Sequence, residues 1–201
     1  MIKNVVFDIG NVLISFRPSE YISRNGFTPE KQKTVLEDIF GSNEWKLLDD
    51  GKLTTDQAID IITINSSLKR DEIARIFNER TRIFHSIDNN VKLLPELKKH
   101  GFKLYYLSNF HGDIFDEVTN SYPFFKYFNG GIISAHVKCS KPSPEIFSIF
   151  LDKYNLIAEE CFYIDDQEKN VTAAIHSGMK GFFTDGMNDI SDEVRKLLLE
   201  I

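Results

Sequence analysis

Cysteine is scarce in this chain of 201 residues, where Cys139 and Cys161 are the only two. Two thiols outside any Cys-x-x-Cys pair cannot staple a domain of this size, so a disulfide framework is excluded and reduced thiols in a cytoplasmic setting are expected. The sequons at Asn65 and Asn170 then carry no meaning. A long apolar run is missing too. The longest, VVFDIGNVLISF, holds Asp8 within it and falls short of the roughly 18 to 20 apolar residues that a membrane span needs. The N-terminal stretch MIKNVVFDIG lacks a small-residue cleavage site, so secretion is not expected. Basic excess is absent as well: 24 Lys and Arg face 30 Asp and Glu, a formal charge of −6 with no basic stripe. Nucleic acid is therefore an unsuitable partner. No GxxxxGK[ST] loop, GxGxxG turn, HExxH or GxSxG elbow occurs, and there is no repeat or long linker.

What is present is an ordinary globular composition, 42% hydrophobic and 12% aromatic, in a chain long enough to bury a sizeable core. Short β-rich runs, KNVVFDI, FKLYYLS, GGIISA, CFYID and KGFFT, alternate with helix-length segments, which is the signature of βαβ units. VVF and LYYL lack period-2 alternation, as strands covered on both faces do. Between about Arg17 and Ile87 no strand is evident. Thr28 with Pro29 and Glu30 opens a helix that Gly41 closes, Thr54 to Asp56 starts another with Ala58, Ile61 and Ile62 on one face, and Ile73, Ile76, Phe77, Ile83 and Phe84 share a face across residues 71–84. Pro95 falls inside a helical run ending at Lys98, Lys99, His100 and Gly101. The expected fold is α/β: a Rossmann-like, doubly wound parallel sheet (residues 1–16 and 88–201) interrupted by an α-helical cap (residues 17–87).

Open parallel sheets bind ligands at the carboxyl ends of their strands, and polar residues gather there. Asp8, Gly10 and Asn11 follow the first strand, Ser108 and Asn109 follow FKLYYL, Asp165 and Asp166 follow CFYI, and Lys141 lies in the connection to SPEIFSIFL. Singly, each has a plainer explanation: Asp8, Ser108 and Asn109 as turn or capping residues, Lys141 as a solvated lysine, and the acid pair as caps for a helix near Gln167. Jointly they aim carboxylates, a hydroxyl, an amide and an ammonium at one crevice. Adjacent acids there repel unless a cation lies between them.

These motifs, FDIGNVL, LSN, the Lys of KPSPEIF, and YIDDQEKN followed by AAIHSGM, resemble the haloacid dehalogenase superfamily in order and placement. The closest likeness is to its phosphatases with a helical cap, in the branch of sugar-1-phosphate phosphatases and the phosphatase domain of soluble epoxide hydrolases. The resemblance implies a hydrolase of small phosphate monoesters, with a phosphorylated metabolite as its partner and Mg²⁺ as its cofactor. Asp8 would be the nucleophile forming an aspartyl-phosphate. Asp8, the Gly10 carbonyl, Asp166 and, through water, Asp165 would hold Mg²⁺. Ser108, Asn109 and Asn11 would meet the phosphoryl group, Lys141 would balance charge, and Asn170 would be a nearby contact. On this reading Lys141 fills no core, and its removal leaves stability unchanged.

One position departs from the pattern. Most phosphatases of the family carry a second Asp two residues after the nucleophile as general acid and base, and here that residue is Gly10. His111, His136 and Arg17 are loop candidates for its replacement, each with a plainer surface explanation. The missing acid keeps two alternatives open: a 2-haloacid dehalogenase, which needs no metal, and a protein of this fold that only binds a phosphorylated ligand or a partner. The segment NEWKLLDDGKLTT resembles the part of the cap that faces the core, bringing Trp45, Lys46, Asp49, Asp50 and Lys52 towards a substrate. An acidic leaving group such as a sugar anomeric hydroxyl would need an acid catalyst least.

Overall fold

The computed structural model describes residues 1–186 and 188–199. Five strands, β1 (Asn4–Phe7), β4 (Lys103–Ser108), β5 (Gly130–Ile133), β6 (Cys161–Asp165) and β7 (Lys180–Phe183), form one sheet. Every neighbouring pair is parallel and the order is β5-β4-β1-β6-β7. The chain runs outward from β1 to one edge and then crosses to the other. Strand order therefore reverses around β1, where such sheets open a crevice. Phe7 pairs with Tyr106 on one side and with Ile164 on the other, so the residues just beyond β1, β4 and β6 emerge together.

The sheet is covered on both faces because its central strands are apolar on both. Val5 and Phe7 belong to a core with Leu93, Leu94 and Leu97 of α6 (Asp88–Lys99) and Val194 of α11 (Ser191–Leu198). Val6, Leu107 and Tyr163 pack on Ile146, Phe147 and Phe150 of α9 (Pro144–Tyr154) and on Ala173 and Ala174 of α10 (Glu168–His176). Successive side chains of a strand point to opposite faces, which is why both cores draw on β1. Pro95 lies within α6 without ending it. The buried leucines on either side of it hold the helix on the sheet.

A third core, with Tyr21, Ile39, Ile62, Ile73 and Phe77, belongs to α1 (Pro18–Arg24), α2 (Pro29–Val35) with a π-helical turn to Phe40, α3 (Asn43–Asp49), α4 (Thr55–Asn65) and α5 (Arg70–Asn78). Thr28 caps α2 through its side chain, and Thr54 forms a capping box with Gln57. α7 (Phe115–Ser121) and the single-turn α8 (Ser134–Val137) complete the helices used below. Among the described residues no helix is long and apolar enough to cross a membrane.

Two details differ from the sequence reading. The helix expected across residues 71–84 stops at Asn78, and Arg80–Ile83 forms a 3-10 turn. The chain also makes a strand where none was evident: β3 (Phe84–Ser86) pairs antiparallel with β2 (Ile14–Phe16). Phe84 follows the helical spacing of Ile76 and Phe77, but pairing with Phe16 across the ribbon decides its conformation. Three-residue strands carry too little periodicity to announce themselves.

Candidate active site

Asp8 leaves β1 with its amide donating to the Ile164 carbonyl at 2.8 Å. Its Oδ1 accepts from the Ile9 amide at 2.7 Å and lies 3.0 Å from Lys141 Nζ. The same ammonium is 2.7 Å from Asp165 Oδ2. Lysine and both acids are buried, so three charges share a space almost closed to water. Burial pushes the Asp8 carboxyl up to about 7, with Lys141 opposing and Asp165 adding to the rise. Burial also works against the charge on Lys141, but Asp165 and Asp8 outweigh it and hold its pKa above the ordinary value. This burial between two acids argues against the expectation that Lys141 is dispensable for stability. A surface lysine is free to leave, whereas this one separates two buried carboxylates.

Asp165 is the anchor of the group. Its two oxygens accept from the Gln167 amide at 2.7 Å, from Asn170 Nδ2 at 3.0 and 3.1 Å, from Lys141 and from the Tyr163 hydroxyl. Asp166 is more open and accepts from Asn11 Nδ2 at 3.1 Å. Burial raises its pKa, Asn11 opposes this, and Asp165 adds to it. Asp8, Asp165 and Asp166 each offer one oxygen, all within 4.8 Å of one another. An oxygen-only set this tight suits a hard divalent cation. Asp165, already satisfied by protein donors, is the least available of the three.

Ser108 lies at the end of β4 with its Oγ buried, beside the Asp8 carboxylate whose charge it helps to hold. The side chains of Asn109 and Asn11, two residues expected to meet a phosphoryl group, are held by protein partners, and both residues line the cavity in front of Asp8. The Asn109 amide grips the Lys141 backbone from both ends, at 3.0 Å to its carbonyl and 2.9 Å to its N–H. Asn11, at φ 54°, accepts from the Phe16 amide at 3.0 Å while holding Asp166. Both side chains brace the site, because each amide already has a protein partner at both ends.

A cavity of about 270 Å³ opens in front of Asp8. Gly10, Asn11, Asn109, Asp166 and Gln167 form its polar floor, and Phe16, Phe84, Phe110, Ile114 and Trp45 form an apolar wall. Asp49 and His111 complete it. His111 is buried, not at the surface as its loop position suggested. Its ring lies 4.4 Å from that of Trp45, and its Nε2 is 3.3 Å from the Trp45 carbonyl and 3.4 Å from Asp49 Oδ1. Burial, with Arg80 nearby, holds its pKa down to about 3, so the imidazole is neutral.

Of the other candidates, His136 and Arg17 are exposed, and Arg17 pairs with Glu20 at 3.4 Å. Lys46 and Lys52 are exposed as well, and Lys52 pairs with Asp50 at 3.0 Å. None of these four lines the cavity. The apolar wall was missed at the sequence level because Phe16 and Phe84 meet across a ribbon that the sequence did not reveal. Tyr163 was missed for another reason: a tyrosine inside a buried strand reads as core.

Over 98% of its length the chain is 26% identical to a sesquiterpene phosphatase, astK, of Aspergillus oryzae, covering 96% of that protein. It is 24% identical along its whole length to a drimenol cyclase, drtB, of Aspergillus calidoustus, but spans 37% of that longer protein. A HAD family enzyme of Bacteroides thetaiotaomicron, solved with magnesium and inorganic phosphate, superposes with a TM-score of 0.77 at 24% identity, over 97% of this chain and 100% of that one. An L-2-haloacid dehalogenase of Xanthobacter autotrophicus shares the fold at a TM-score of 0.72 and 14% identity, over 98% of this chain and 83% of that one. The sequence profile of the haloacid dehalogenase-like hydrolases matches residues 22–183, and the chain belongs to that family.

Proposed function

We propose that this hydrolase releases phosphate from small monoesters with the help of Mg²⁺. The observation that carries the reading is the trio Asp8, Asp165 and Asp166 with its oxygens within 4.8 Å, set beside Lys141. Three acids converging on one point with a single ammonium have a charge deficit that a divalent cation removes. Asp8 and Asp166, with the carbonyl of Gly10, are the groups to hold it. When bound, the ion neutralises phosphate oxygens and keeps Asp8 ionised for attack. The phosphatase among the relatives and the magnesium and phosphate in the Bacteroides enzyme support the same choice.

In this reading Asp8 attacks phosphorus through the oxygen not held by Lys141, and the ester oxygen departs opposite to it. Lys141 and Ser108 stabilise the charge that gathers on the non-bridging oxygens. Water then cleaves the aspartyl-phosphate and frees Asp8. The helical module of residues 17–87 acts as the cap, contributing Trp45 and Asp49 to the cavity. A dehalogenase is disfavoured on charge: without a cation the second and third acids would repel a haloacid carboxylate.

The cavity wall bears on the organic group of the ester. Five largely apolar side chains line it, and apart from the Trp45 indole N–H they offer a sugar no partner for its hydroxyls. They favour an alcohol with an apolar body over the sugar-1-phosphate that the sequence resemblance suggested, a preference that the sesquiterpene phosphatase supports. The test is phosphate release from a panel of prenyl, aryl, hexose and glycerol phosphates. The expected result is activity that requires Mg²⁺, vanishes in excess chelator and is abolished by Asp8→Asn. Release that continues in chelator refutes the metal assignment, and 2-chloropropionate dehalogenation without phosphate release refutes the phosphatase.

A further inference from the structure

With glycine at position 10, the first strand supplies no group to protonate the departing oxygen, and an added Cβ there would meet nothing within 4 Å. The same cavity is lined by another carboxyl. Asp49 ends α3 and lines the same space as Asp8 and Gly10.

The turn bearing Asp49 is docked on the core at three points. Ser134 Oγ donates to the Asp49 carbonyl, and Ser140 Oγ donates to Asp50 Oδ1. Gly51, at φ +65°, lies so close to α8 that a Cβ would stand 2.3 Å from the Ala135 carbonyl oxygen. Ser140 is the residue before Lys141, so this docking ties the cap to the loop that carries the ammonium. The side chain of Asp49 is left out of all three contacts. Instead its Oδ1 lies 3.4 Å from His111 Nε2. Among the described residues His111 Nδ1 is buried with no partner, which leaves the ring proton on Nε2, 3.3 Å from the Trp45 carbonyl and 3.4 Å from Asp49.

We propose that Asp49 is the general acid and base of this enzyme, in place of the acid missing at position 10. The inference rests on the phosphatase reading above. In the first step a bond forms from an Asp8 oxygen to phosphorus, the bond from phosphorus to the ester oxygen breaks, and the Asp49 proton passes to that oxygen to give the free alcohol. In the second step the Asp49 carboxylate takes a proton from the attacking water, the water oxygen bonds to phosphorus, and the bond to Asp8 breaks to release phosphate. Asp49 ends the cycle protonated. Its surroundings suit both halves. Burial pushes its carboxyl up to about 7, and the charges of Asp50 on its own turn and Asp8 on the same cavity add to the rise, with Lys141 opposing. An acid poised near the working pH transfers protons in both directions. His111 stands 3.4 Å from this carboxyl as a neutral ring, without the charge by which an imidazolium would lower this value.

The experiment compares Asp49→Asn with the native protein on p-nitrophenyl phosphate, whose leaving group needs no proton, and on an alkyl phosphate, whose leaving group does. Asparagine keeps the shape and the three docking contacts. With Mg²⁺ present, kcat/KM for the alkyl ester is expected to fall on the order of 10²- to 10⁴-fold, the usual worth of a general acid, and that for the nitrophenyl ester by less than about tenfold. Adding Gly10→Asp to Asp49→Asn is expected to restore part of the alkyl-ester rate. Equal losses on the two esters, or none on either, overturn the role of Asp49 while leaving the phosphatase reading intact. A native protein that releases phosphate from neither ester nor any other of the panel overturns both.

Discussion

Replacing Lys141 by methionine retains most of the side chain's apolar stem and deletes the ammonium that stands 3.0 Å from Asp8 and 2.7 Å from Asp165. Removing one partner of a buried ion cluster costs roughly 3–5 kcal/mol, because the remaining charges are left uncompensated away from water. For a chain of about 200 residues each kcal/mol lowers the melting temperature by roughly 2–4 °C, so a fall of about 6–20 °C is expected at neutral pH. The deficit depends on pH with a definite sign. Folded Asp8 titrates at about 7 against 3.8 for an ordinary aspartate, so the unfolded chain releases this proton first. Stability contributed by protonated Asp8 is complete below about pH 4 and is lost as pH rises through about 7. Without Lys141 the folded-state value rises further, and the loss extends to higher pH. The variant should therefore be less destabilised near pH 5, where Asp8 is protonated and only Asp165 has lost its counter-ion, and fall progressively further behind towards about pH 8. Thermal unfolding followed by circular dichroism, in chelator to keep the acids free of metal, measures this. A melting point within about 2 °C of native at pH 8, or a deficit of the same size at both pH values, would refute the account of Lys141 as a buried counter-ion.

Two further outcomes follow from the cap. Gly51→Ala forces a Cβ to within 2.3 Å of a carbonyl oxygen at a φ of +65°; it should cost about 1–3 kcal/mol in urea unfolding and lower kcat/KM at least tenfold, and native turnover would show that the docked turn does not matter. Trp45→Leu uncovers part of the apolar wall, about 50 Å² or roughly 1.3 kcal/mol, so KM for an aryl or prenyl phosphate should rise on the order of tenfold while that for glycerol phosphate stays put, and equal rises would remove Trp45 from the substrate wall.

The alternation of strand-like and helix-like segments settled the α/β class, because a strand buried on both faces must be apolar throughout and βαβ connections must be helical. Val5, Val6 and Phe7 show this locally, and their neighbours in the sheet follow from it. The placement of Asp8, Ser108, Asp165 and Asp166 at strand ends was equally legible, since each directly follows or closes an apolar run. Tertiary contacts decided the rest. Asn11 and Asn109 look like ligand-binding amides in the sequence, yet the loops they face supply acceptors and donors for both ends of each. Lys141 looks like a solvated lysine, and only the meeting of β1, β6 and the loop before α9 encloses it between two acids. Phe84 follows a helical period and becomes a strand because Phe16 lies opposite. Asp49 and His111, 62 residues apart in the chain, become neighbours only when the turn after α3 docks on Ala135. Local sequence determines what a segment is and where its polar end lies; which polar group finds a partner, and which is left facing the cavity, depends on elements brought together from far along the chain.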